Sequence, residues 1–148
     1  MRWSPSVTVA AVVRRQDAFL VVEERPQGVS VINQPAGHLE QGETLIEAVC
    51  REVLEETGCH FTPAGLVGVY QWQVPSTDRS YLRFCFAGDV GDPVPGHSLD
   101  PDIIATHWLS RAQIADGALQ PRSPMVLQCI DDALHRSPLP LEVLHAFV

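Results

Sequence analysis

A chain of 148 residues, 45% hydrophobic and 19% charged, has material for one soluble domain with a substantial core, expected to span residues 1–148. Its formal net charge of -8 excludes a general nucleic-acid binder, which needs a basic face for phosphates. No apolar stretch approaches the roughly 20 residues that span a bilayer, so no membrane partner is expected.

The four cysteines (Cys50, Cys59, Cys85, Cys129) form no C-x-x-C pair and no zinc-like spacing, and read as buried thiols. Val7 to Val13 is short for a signal peptide and Arg14-Arg15 follow it rather than precede it, which makes cytoplasm the expected compartment.

Val7–Val13 is continuous and rich in β-branched residues, as in a strand buried on both faces. Phe19–Glu24 reads as its hairpin partner across the turn "RRQDA", and a short strand is expected at Ser30–Gln34. Leu45–Thr57 is the clearest helix. Thr44 and Glu47 make a capping box, Gly58 supplies a stop, and Ile46, Val49, Cys50, Val53 and Leu54 gather on one face. Strands follow at Gly65–Val74 and Tyr81–Ala87, the second with Arg83 pointing away from Phe84 and Phe86. A polar Pro/Gly loop leads to a strand at Ile103–Trp108, a helix near Arg111–Asp116 and another at Ser123–Arg136. Strands interleaved with helices give an α/β or α+β domain, a mixed β-sheet with helices on its faces.

The helix carries an oddity. Glu52, Glu55 and Glu56 share a sector about 100° wide, away from the apolar stripe, where like charges one turn apart repel. A solvated face is the ordinary account of such a cluster. The alternative is a site for a hard divalent cation such as Mg²⁺, which takes carboxylate oxygens together with substrate phosphates. Arg51, four residues after Glu47 and four before Glu55, can pair with either.

The surrounding string favours the cation. Gly37, five residues, Glu43, seven residues, Arg51-Glu52-Val53, any residue, Glu55-Glu56, any residue, Gly58-Cys59 resembles the Nudix box, Gx5Ex7REUxEExGU, where U is bulky and aliphatic. Cys59 is the one departure, at a position concerned with packing. "VTVAAVV", "FLVVEE", "NQPAGHLE" and "LRFCFA" resemble, in the same order, the Nudix subfamily of bacterial NudJ phosphatases.

The resemblance implies an α/β/α sandwich and an enzyme that hydrolyses phosphoanhydrides with Mg²⁺, Mn²⁺ being possible. It implies Glu52, Glu55 and Glu56 as metal ligands, with the Gly37 carbonyl a further one, Glu43 assisting and Arg51 orienting the carboxylates. The general base is a box glutamate, Asp100 or Asp102. The implied substrates are nucleoside tri- and diphosphates and the pyrophosphates of thiamine and its hydroxymethylpyrimidine precursor. The protein is a monomer or a homodimer.

Outside the box, Arg83 is either a phosphate clamp or an exposed strand cation. Trp72, Phe61 and Tyr81 are either a platform for a heterocycle or packing. Glu23 and Glu24 end a strand near the expected cleft, and Glu23 is a candidate substrate contact. His38 is expected to face solvent, and His97 and His107 to bind no zinc. Arg122 is a substrate contact or a residue ahead of a helix cap. Competing functions are ADP-ribose hydrolysis, with Pro75 near that subfamily's proline, a silent nucleotide-sensing Nudix domain, and a structural module whose acidic turn is mere surface.

Overall fold

β-Branched and small residues crowd the first strand because both of its faces are buried. In the computed structural model, which describes residues 1–148, strand β1 (Ser6–Arg15) has Val9 to Val13 all buried. Alternate side chains feed two separate layers: Val9, Ala11 and Val13 enter one apolar cluster, Ala10 and Val12 the other. The first layer is closed by helix α1 (Leu45–Thr57) through Ala48, Val49 and Val53. The second is closed by α2 (Arg111–Asp116) through Ile114 and by α3 (Met125–His135) through Val126, Cys129 and Ile130. The architecture is the expected α/β/α sandwich.

β1 runs parallel to β6 (Ser80–Val90), which pairs antiparallel with the edge strand β5 (Phe61–Gln73). On its other side the first half of β1 pairs with β4 (Ala36–His38), and its end pairs with β2 (Ala18–Glu24). β2 also pairs with β3 (Val31–Asn33) and β7 (Ile103–Ser110), and the short β8 (Gln120–Pro121) adds parallel to β3. The sheet is therefore mixed.

Most elements lie where the residue pattern places them, and α1 has the expected bounds. Its capping box is made: Thr44 Oγ1 accepts from Glu47 N at 3.0 Å, and Glu47 Oε1 accepts from Thr44 N at 2.8 Å. Gly58 takes φ of 73° and donates its N–H to Leu54 O, the left-handed stop that favours glycine. Because Glu47 is committed to the cap, it is not the partner of Arg51.

β5 begins four residues before the expected Gly65, with Pro63 at a bulge on an edge strand, where proline is tolerated. Neither β4 nor β8 was expected, because such short pieces have no period to read. Leu139 covers part of the β5 edge through two 2.8 Å backbone bonds with Leu66. All four cysteines are free thiols, and Cys59 packs in the α1 layer as an apolar residue. No helix is long and apolar enough to cross a membrane.

Candidate active site

β4 creates the site. Ala11 N bonds to Pro35 O and Leu39 N bonds to Val7 O, so the Gly37 peptide groups between them face β1. The N–H and C=O of Ala36 and His38 then point the other way, along a free strand edge. Unpaired backbone groups along a half-buried edge favour partners, and α1 supplies two: Ala36 N donates to Glu56 Oε1 at 2.9 Å, and His38 O accepts from Arg51 Nη2 at 3.0 Å. Between these contacts Gly37 leaves room for the Glu52 carboxylate, since a Cβ there would lie 2.0 Å from Glu52 Cδ and displace it. The acidic sector of α1 is thus no solvated face: Glu52 and Glu56 are 9% and 7% exposed.

Arg51 ties the cluster together. Its Nε and Nη2 grip Glu43 Oε2 and Oε1 at 3.0 and 2.7 Å, and Nη1 reaches Glu52 Oε1 at 2.8 Å and Glu55 Oε2 at 3.3 Å. With the bond to His38 O, all five guanidinium N–H groups are committed. The Arg51 bond holds Glu43 below the usual carboxylate range. Glu43 Oε1 also accepts from Glu40 N at 2.8 Å, which fixes the loop ahead of the helix.

Glu56 has no such cation. Burial pushes its carboxyl up to about 9, against the pull of the Ala36 N–H, and Glu24, Glu52 and Asp100 add repulsion. Burial also raises Glu52, against the attraction of Arg51. The loop after β6 docks at the same end, Asp100 N donating to Glu55 O at 2.8 Å and Val94 N to Gly58 O at 2.8 Å. Asp102, two residues on, donates its N–H to Asp100 Oδ1 at 2.9 Å.

The donor chemistry suits a hard divalent cation: oxygen atoms throughout, two of the carboxylates buried and mutually repelling. Arg51 is bonded to Glu43, Glu52 and Glu55 at once, so these three carboxylates share one cation. The expected Gly37 carbonyl is turned toward β1, and the outward carbonyl on that edge is the one on Ala36.

The remaining candidates divide. Arg83 is no exposed strand cation: it is 4% exposed, with Nη1 on Gln34 Oε1 at 2.8 Å, Nη2 on Asn33 Oδ1 at 3.0 Å and Nε without a partner. Gln34 Nε2 in turn donates to Val126 O at 2.7 Å, so Arg83 and α3 together brace the residues that lead into β4. Glu23 is drawn aside, its Oε1 2.9 Å from His107 Nε2, and Glu24 is the β2 carboxylate whose charge acts on Glu56. Trp72 stacks on Tyr81 at 6.0 Å and 17°, and Tyr81 lies 6.5 Å from the exposed His38 ring. An aromatic strip thus runs from the sheet edge to β4. Phe61 is core. Sequence reasoning missed Ala36 and Gln34, which are marked by no chemistry of their own, and "NQPAG" was the segment that held them.

Other proteins share this sequence pattern and this fold. The NUDIX domain family matches residues 4–129. The chain belongs to the Nudix family. This Nudix hydrolase is 41% identical over 145 residues to Phosphatase NudJ of Escherichia coli K12, covering 98% of this chain and 94% of that protein. A NUDIX hydrolase from Nitrosomonas europaea is 45% identical, with a TM-score of 0.93 over 97% of this chain and 98% of the other. A MutT NUDIX hydrolase from Burkholderia pseudomallei, 20% identical, shares the fold with a TM-score of 0.73 over 88% and 98% of the two chains.

Proposed function

We propose that this Nudix hydrolase is a Mg²⁺-dependent phosphatase, Mn²⁺ serving in its place, that cleaves phosphoanhydride bonds of small phosphorylated molecules. The substrates proposed are nucleoside tri- and diphosphates and the pyrophosphates of thiamine and its hydroxymethylpyrimidine precursor. The observation that carries this reading is the pair of buried carboxylates, Glu52 and Glu56, set against the free edge of β4 with no cation bonded to Glu56. Such burial is costly unless a charge of opposite sign arrives with the ligand.

In this reading Glu52, Glu55 and Glu56 hold the metal, with the Ala36 carbonyl the backbone oxygen best turned to join them. A metal held there would supply acidification of a water and stabilisation of charge on the phosphoryl oxygens. The Ala36 N–H orients Glu56, and Arg51 and Glu43 keep Glu52 and Glu55 apart and aligned. A box carboxylate or Asp100 takes the proton of the attacking water. The Trp72–Tyr81 strip receives the heterocycle. Arg83 acts at one remove, by holding Asn33 and Gln34 where β4 begins.

Phosphate release from thiamine pyrophosphate, nucleoside tri- and diphosphates and ADP-ribose, with both products identified, tests the proposal. Turnover of the first two groups in Mg²⁺, loss in EDTA and recovery on adding Mg²⁺ back are expected. Turnover untouched by chelator overturns the metal role, and cleavage of ADP-ribose alone overturns the substrate class.

A further inference from the structure

Every one of the 10 basic residues in this chain is arginine, so the question of what meets a substrate phosphate is a question about guanidinium groups. Arg51 is exhausted, its five N–H donors all bonded within the site. Arg83 is sealed beneath the strands. Arg14, Arg111 and Arg136 pair with Asp17, Asp131 and Asp132, and Arg15 sits over the Trp108 ring.

Arg2 lies exposed near the start of the chain, Arg25 bonds Ser30 Oγ and Arg79 bonds the Tyr81 hydroxyl; Arg122 is set apart by its place in the fold. Its backbone is anchored, with Arg122 N donating to Ile32 O at 2.8 Å where β8 meets β3. Its side chain commits one donor, Nη1 to Glu24 Oε2 at 2.6 Å, and stays 40% exposed. Four N–H groups have no protein acceptor. Glu24 lies at the acidic end of the sheet: it pairs with Ile103, the start of β7, and the loop just before that strand is bonded to the last turn of α1 through Asp100 N and Glu55 O. Arg122 thus stands beside the carboxylates with a fork of donors open to solvent, the geometry that fits a phosphate.

We propose that Arg122 is a substrate-phosphate contact, held at the rim of the site by Glu24. This assignment rests on the proposed hydrolysis of phosphorylated small molecules. It adds a direction: the aromatic strip meets β4 at His38, whereas Arg122 sits by β3, at the other end. A substrate lying along this edge places its heterocycle toward His38 and its far phosphate toward Arg122.

The test is a comparison of Arg122→Ala, Arg122→Lys and Glu24→Gln with the unaltered protein. It uses calorimetric binding of the Mg²⁺ complex of a nucleoside triphosphate with methylene in place of the bridging oxygens, alongside steady-state kinetics. Arg122→Ala should weaken binding and raise KM by about 10- to 100-fold, the loss of one charged hydrogen-bonding partner, with kcat within about threefold and binding of the unphosphorylated nucleoside unchanged. Arg122→Lys should recover part of the affinity, and Glu24→Gln, which loosens the ion pair that holds Arg122, should weaken binding by a smaller factor than Arg122→Ala does. Unchanged binding of the triphosphate by Arg122→Ala overturns the assignment, as does a fall in kcat with KM constant. If the analogue binds and Arg122→Ala weakens it while no phosphoanhydride is turned over, the hydrolytic reading fails and the Arg122 contact stands.

Discussion

Replacing Glu56 by glutamine should make the metal-free protein more stable in mild alkali. In the folded chain the Glu56 carboxyl is pushed up to about 9, whereas its ordinary value is 4.5. The folded state therefore holds a proton that the unfolded chain releases, and this contribution is full below pH 4.5 and lost as pH rises through about 9. Each pH unit in that window costs about 1.36 kcal/mol, so raising the pH from 4.5 to 7.5 costs at most about 4 kcal/mol. In a chain of this length each kcal/mol lost lowers Tm by roughly 2–4 °C. Glutamine keeps an oxygen to accept the Ala36 N–H and does not ionise. Melts followed by circular dichroism in EDTA between pH 5 and 9 should show wild type falling below Glu56→Gln above about pH 7. Mg²⁺ should restore wild type alone, since binding to the folded state stabilises it. Parallel pH profiles for the two proteins would refute the reasoning.

Two further substitutions probe the frame around the site. Gly37→Ala forces the Glu52 carboxylate out of its seat, because the new Cβ would lie 2.0 Å from Glu52 Cδ; kcat/KM should drop at least about tenfold with a melting temperature little changed, and wild-type turnover would contradict the packing described. Arg83→Met leaves the Asn33 and Gln34 amides without their donor and should cost about 1–3 kcal/mol of stability, read from urea unfolding. Its KM should move less than its Tm, and a large rise in KM at unchanged stability would instead make Arg83 a phosphate ligand.

The strong periodic elements were legible from residues alone. α1 could be bounded because its cap, its apolar stripe and its glycine stop all agree, and β1 because an unbroken apolar run has to be buried on both sides. The acidic turn declared the family through its spacing. What escaped reading was the backbone. β4 is three residues long, and its role depends on which peptide groups β1 leaves free, a matter of register that residue types do not encode. For the same reason the Gly37 carbonyl was expected where the Ala36 carbonyl lies. Arg83 and Glu23 could not be placed from residue type, because a charge near a cleft reads the same whether its partner is a substrate or a neighbour such as Gln34 or His107.

The carboxylates are held by main-chain groups of β4 and by a fully engaged Arg51, while the aromatic strip and Arg122 belong to other strands and other loops. On the proposed reading, hydrolytic machinery and molecular recognition are separable modules, and drift in β5, β6 or the segment before α3 would retune which compound is accepted without disturbing how water is delivered. Engineering of a new preference should begin at Trp72, Tyr81 and Arg122 and leave "PAGHLE" alone.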